Sequence, residues 1–147
     1  MKRPDWNTYF KQLTTLVASR STCIRRKCGA IIVKNKRIIS SGYNGPPPGF
    51  DHCTKETCIR TVKNIPSGER HEICYAVHAE MNAIIQAAIH GVSVKNCDIY
   101  INTTPCSICA RMLISINTKN IYFWNAEYPD GFAKELLEKA NIPLHKI

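Results

Sequence analysis

The chain has 147 residues, of which 44% are hydrophobic and 21% charged. That length suits one domain with its own core, and the composition excludes a disordered, collagenous or disulfide-stapled miniature protein. No apolar run approaches membrane-spanning length, and the opening MKRPDWNTYFKQL lacks the apolar segment of a secretion signal, so a cytoplasmic protein is expected.

The net charge of +9 is unevenly placed. Residues 1–37 hold ten Lys/Arg against one acid, Asp5, whereas residues 38–147 hold ten of each sign. Arg25-Arg26-Lys27 and Lys34, Lys36 and Arg37 are the dense spots. Such an end suits a nucleotide phosphate, a nucleic acid, an acidic face of another subunit, or plain solvent, and charge alone does not choose.

Trp6, Tyr9, Phe10, Leu13, Leu16 and Val17 recur at helical spacing, with Asp5 as the cap, and predict an amphipathic helix over about residues 5–20. Two short apolar runs follow, Gly29–Val33 and Arg37–Tyr43, divided by Lys34-Asn35-Lys36, which reads as a hairpin. Residues from about 44 to 74 are rich in Pro, Gly and Cys and predict a long irregular excursion. Helical signals return at His78–His90, stopped by Gly91. Asp98–Asn102 reads as a strand, and Pro105 suits the first turn of a helix to about Ser115. Asn120–Trp124 reads as a strand, Gly131–Ala140 as a helix and Pro143–Ile147 as a last edge strand. The order αββαβαβαβ implies an α/β protein, a sheet with helices on both faces, and no linker divides it, so one domain over 1–147 is expected.

Eight cysteines without a secretion signal point to metal rather than disulfides. His78 with Cys106 and Cys109 offers three ligands, which suits a zinc with one coordination position open for water. Cys106 and Cys109 are three apart at a helix start, where the dipole favours thiolates. Glu80 is the residue placed to carry that water's protons. Residues two apart do not share a face in mid-helix, so His78 and Glu80 need first-turn geometry to meet one site. A second local set, Cys53, Cys58, His71 and Cys74, with Cys23 ahead of the first strand, offers another metal site.

These residues carry a resemblance. Cys28-Gly29-Ala30-Ile31-Ile32, Gly42-Tyr43-Asn44-Gly45, His78-Ala79-Glu80-Met81-Asn82-Ala83-Ile84 and Pro105-Cys106-Ser107-Ile108-Cys109 together resemble the cytidine/deoxycytidylate deaminase superfamily, most closely its deoxycytidylate (dCMP) deaminases. The resemblance implies a three-layer α/β/α sandwich around a mixed five-stranded sheet. It implies zinc-dependent hydrolysis of dCMP to dUMP and ammonia, feeding thymidylate synthesis, with Glu80 as the proton carrier. It also implies substrate contacts from Asn44, the Ala79 backbone and Tyr128, although Asn44-Gly45 is equally ordinary turn chemistry and Tyr128 equally a loop wall. For the second, structural zinc it favours Cys23, Cys53, His71 and Cys74, with Cys58 spare. Arg25 and Arg26 are the candidates for the 5′ phosphate. A homo-oligomer, a hexamer in several relatives, and regulation by dCTP and dTTP are further implications. Competing readings are a tRNA adenosine deaminase, a free cytidine or deoxycytidine deaminase, and a zinc-stabilised nucleic-acid-binding module without turnover. The cysteine-rich excursion disfavours the first, and Glu80 the last.

Overall fold

A computed structural model describes residues 2–147. The first helix, α1 (Trp6–Ala18), is capped by Asp5, whose Oδ1 accepts from the Thr8 amide at 3.0 Å. Strands β1 (Gly29–Lys34) and β2 (Arg37–Tyr43) form the hairpin, in which Lys34 pairs with Arg37. The turn is therefore two residues, Asn35 and Lys36, with φ of 49° and 61°, the double left-handed geometry of a type I′ hairpin.

The excursion then contains the short α2 (Ile59–Val62) and a 3-10 turn at His71–Ile73. After it come α3 (Ala79–Ile89), β3 (Asp98–Ile101), α4 (Ser107–Ser115), β4 (Asn120–Phe123), α5 (Gly131–Lys139) and β5 (Leu144–Lys146). Pro105 lies one residue ahead of the α4 cap rather than in its first turn, because Cys106 takes the cap position. Gly91, with φ of 66°, follows the end of α3 as a left-handed stop.

Among the described residues the five strands form one sheet in the order β2-β1-β3-β4-β5. β1 runs antiparallel to both β2 and β3, while β3, β4 and β5 are parallel. The period-2 alternation of β1 explains the layers. Ala30 and Ile32 join Ile99, Ile101, Ile121 and Phe123 in a core with Ala79 and Ala83 of α3, Ala110 and Leu113 of α4, and Ala133 and Leu137 of α5. Ile31, Val33 and Tyr100 instead pack against Phe10, Leu13 and Val17 of α1. With both faces covered, β1 reads as a nearly continuous buried run. The α/β/α sandwich around a mixed sheet is thus the observed fold. It brings the N-termini of α3 and α4, from neighbouring strand connections, towards one end of the sheet.

Candidate active site

His78 is the N-cap of α3 and has an extended backbone, with φ −71° and ψ 159°. It therefore projects from outside the helix, while Glu80 projects from the first turn. This removes the difficulty that residues two apart diverge in mid-helix. Cys106 caps α4 in the same extended state, with φ −76° and ψ 169°, and Cys109 lies in the first turn. Neither cap residue makes a side-chain capping bond, so the ring and the thiol remain available to each other.

His78 Nδ1 lies 3.3 Å from Cys106 Sγ and 3.4 Å from Cys109 Sγ. The ligand atoms of all three residues fall within 4.8 Å of one another. Tetrahedral zinc with Zn–S of about 2.3 Å and Zn–N of about 2.0–2.1 Å separates N and S ligands by roughly 3.6 Å. The residues thus fit zinc in donor type, number and spacing, with three protein ligands and one position over. The two thiols share a proton unequally: the hydrogen bond between them holds Cys106 well below the usual thiol range and pushes Cys109 up. Burial pulls His78 down, but its hydrogen bond to Cys106 and the charges of Cys106 and Glu80 outweigh it, and the ring's pKa is raised.

Glu80 is 6% exposed. Burial pushes its carboxyl up to about 7, against the pull of His78. Glu80, His78, Ala79 and Cys106 line a cavity of about 440 Å³, within the range of roughly 300–1,000 Å³ usual for small-molecule sites.

Asn44, Tyr128, Arg25 and Arg26 line the same cavity. Asn44 works mainly as scaffold. Its Oδ1 accepts from Ser21 Oγ at 2.6 Å and the Cys28 amide at 2.8 Å, and its Nδ2 donates to the Arg26 carbonyl at 2.8 Å. One of its two N–H donors remains for a ligand. Tyr128 accepts from the Gly68 amide through its hydroxyl at 3.2 Å, and the Arg26 guanidinium sits 4.8 Å from its ring centre. Arg26 also donates to Thr103 Oγ1 at 3.3 Å, and the exposed Arg25 donates to the Ile65 carbonyl at 2.7 Å. Ala79 is fully buried.

The expected second set, Cys23, Cys53, His71 and Cys74, is not assembled. Among the described residues, the one group of three or more His, Cys, Asp or Glu at coordination spacing is His78–Cys106–Cys109. His71 turns the other way, its ring edge-on to His78 at 5.1 Å and tilted against Tyr128 at 5.7 Å. It opens the 3-10 turn, whereas Cys74 leaves that turn in an extended conformation. Cys23, Cys53, Cys58 and Cys74 instead all line the cavity, and Cys53 has Cys58, Cys74 and Cys23 as its thiol neighbours. Cys58, the spare in the sequence, lies in the same wall, and no three of these thiols stand at coordination spacing.

Two residues escaped the sequence reading. Asp130 is the N-cap of α5 and binds α4 as well: Oδ1 accepts from the Ala133 amide at 3.3 Å and Oδ2 from the Ser107 amide at 2.7 Å. It supplies the cap that Cys106 does not, and fixes the helix end bearing both thiols. An Asp before a helical run signals one cap, but nothing in the sequence signals the second helix. Arg60 is 7% exposed and also lines the cavity, and only its burial marks it out.

A family model of the cytidine and deoxycytidylate deaminase zinc-binding region matches residues 4–125. The chain is 35% identical to ComE operon protein 2 of Bacillus subtilis, over all of this chain and 74% of that protein. It is 31% identical to deoxycytidylate deaminase of Schizosaccharomyces pombe over 98% of this chain, but spans only 44% of the yeast protein. The crystal structure of dCMP deaminase from the cyanophage S-TIM5 in complex with dCMP and dUMP superposes with a TM-score of 0.80 at 26% identity, covering all of both chains. The open three-ligand site, the buried acid beside it and the match across most of the chain agree: the chain belongs to the cytidine and deoxycytidylate deaminase family.

Proposed function

We propose that this chain, acting as one domain over residues 1–147, is a dCMP deaminase that converts dCMP and water to dUMP and ammonia. The observation that carries this reading is the coincidence of His78, Cys106 and Glu80 with guanidinium groups in a single cavity. It is supported by dCMP deaminases among the relatives, one of them solved with dCMP and dUMP.

His78, Cys106 and Cys109 would hold the catalytic zinc. When bound there, zinc supplies a Lewis acid and a water whose pKa is lowered to about 7. Glu80 takes a proton from the attacking water, delivers it to the ring nitrogen adjoining the reacting carbon, and passes the second to the departing amine. Its burial beside His78 keeps bulk water from competing for those protons. The Ala79 backbone and the remaining Asn44 donor face the base and sugar. Tyr128 walls the sugar-phosphate end, where Arg25 and Arg26 meet the phosphate. Cys23, Cys53 and Cys74, completed by His71 as the sequence favours or by Cys58 from the same cavity wall, would hold a second, structural zinc, since four protein ligands would leave no position for water.

No described helix is long and apolar enough to cross a membrane. A cytoplasmic location, a homo-oligomer such as a hexamer, and dCTP or dTTP as regulators belong to the same reading. The test is ultraviolet loss of the cytosine chromophore with dCMP, deoxycytidine, dCTP and an RNA hairpin offered separately. Fastest turnover of dCMP is expected. Equal turnover of deoxycytidine moves the chain to the nucleoside deaminases, and turnover of the RNA alone rejects the reading.

A further inference from the structure

Arg60 is a cation held inside the protein without a counter-charge. It is 7% exposed, yet it forms neither of the ion pairs found among the described residues, Arg70–Glu72 and Lys139–Glu135. One terminal nitrogen donates to the Pro66 carbonyl at 3.3 Å, and its buried Nε has no partner. A guanidinium carries five N–H donors and does not lose its proton, so burial cannot be relieved by neutralisation. A buried charge without a partner is strongly unfavourable unless an anion completes it.

The anion must come from the cavity. Arg60 lines it together with Arg25 and Arg26, and Glu80 is the one acid among the lining residues. Glu80 does not serve as the missing partner, since no ion pair among the described residues joins it to Arg60. Arg60 shares that cavity lining with His78 and Ala79. The other two guanidinium groups differ in setting. Arg25 is exposed and bonded to Ile65, whereas Arg26 is spread over the Tyr128 ring and bonded to Thr103. Arg60 is the most buried of the three, where charge-assisted hydrogen bonds are least screened and discriminate best.

We propose that Arg60 reads the 5′ phosphate of a nucleoside monophosphate in this cavity and so determines specificity for nucleotide over nucleoside, an inference that rests on the deaminase reading of the site. A phosphate monoester supplies the acceptor oxygens that a planar guanidinium fork matches. Because Arg60 lies in α2, the same contact fastens the cysteine-rich excursion over the bound nucleotide. An uncharged nucleoside leaves the guanidinium uncompensated and is disfavoured on that ground.

The test compares the native protein with Arg60→Gln and Arg60→Lys. In the folded Gln variant the ratio of dCMP to deoxycytidine efficiency falls by about ten- to a hundredfold, mainly through KM, since a charge-assisted bond has been lost. The Lys variant, keeping charge without the fork, recovers part of it. Independently of turnover, millimolar inorganic phosphate raises the thermal midpoint of the native protein and leaves that of Arg60→Gln unmoved. If the Gln chain does not fold, a smaller phosphate shift in the Lys variant than in the native protein decides for the assignment. An unchanged efficiency ratio, or equal phosphate stabilisation of native and variant, overturns it. Failure of the native protein to deaminate dCMP would refute the deaminase reading instead, and the phosphate titration would still judge Arg60.

Discussion

Gly42 and Ala79 approach so closely that a Cβ on Gly42 would fall 2.4 Å from the Ala79 carbonyl oxygen. The same atom would lie 2.4 Å from the Ala83 amide nitrogen. The first glycine of Gly42-Tyr43-Asn44-Gly45 is therefore the seat on which α3 docks against β2. The contact bears on chemistry, because α3 carries Glu80 and is capped by His78.

Gly42→Ala should accordingly be costly out of proportion to one methyl group. Both clashing atoms are backbone, so no side chain can swing away, and α3 must move. Overpacking typically costs about 1–3 kcal/mol, and this case belongs at or above the upper end. A chemical denaturation midpoint measures the loss. Activity of the remaining folded protein should fall with it as Glu80 shifts. A variant of native stability would show that α3 docks elsewhere.

Glu80→Gln should separate proton transfer from metal binding. The amide keeps the volume and cannot shuttle protons, so turnover should fall by about a hundred- to ten-thousandfold. Zinc content should be retained, because the three-ligand group does not include Glu80. Cys109→Ser should behave oppositely and lose the catalytic metal. Near-native turnover in the Gln variant would remove Glu80 from the mechanism.

What the sequence disclosed follows from which interactions are local. The Asp5 cap, the hairpin of Gly29–Val33 with Arg37–Tyr43 and the Gly91 stop are set by neighbours along the chain, and all three occur as read. The HAE and PCxxC blocks were legible because each is a short stretch at a helix start. The second metal set was less legible, because spacing shows only that His71 is near Cys74, whereas the fold of the excursion places its ring against His78 and Tyr128. Asp130 and Arg60 were invisible for the same reason. The Asp130 contact with Ser107 spans 23 residues, and the burial of Arg60 depends on how the whole excursion folds back.

Asp130 supplies a pH-dependent test. Burial alone would raise its carboxyl pKa, but hydrogen bonds from Ser107 and Ala133 outweigh it and hold the group below its ordinary value of 3.8. A depressed pKa stabilises the fold above the unfolded value, and the contribution is lost as pH falls below about 4. Asp130→Ala should cost about 0.5–2 kcal/mol at neutral pH, as cap removals do. The gap between variant and native protein should narrow below pH about 4, read from denaturation midpoints across that range. A gap independent of pH would mean that packing, not the charged cap, sets the cost.

The cysteine-rich wall offers the sharpest contrast between the sequence expectation and the fold. If Cys23, Cys53, Cys58 and Cys74 close a structural zinc, metal analysis should find about two zincs per chain, and removal of the structural one should unfold the excursion. Cys58→Ser should then lose one zinc and lower the thermal midpoint. His71→Gln should keep both, because His71 packs on His78 and Tyr128 rather than among these thiols. The sequence expectation predicts the reverse pattern, with His71 essential and Cys58 dispensable. Loss of a zinc in His71→Gln with retention in Cys58→Ser would restore that expectation. A single zinc per native chain would reduce the four thiols to cavity lining.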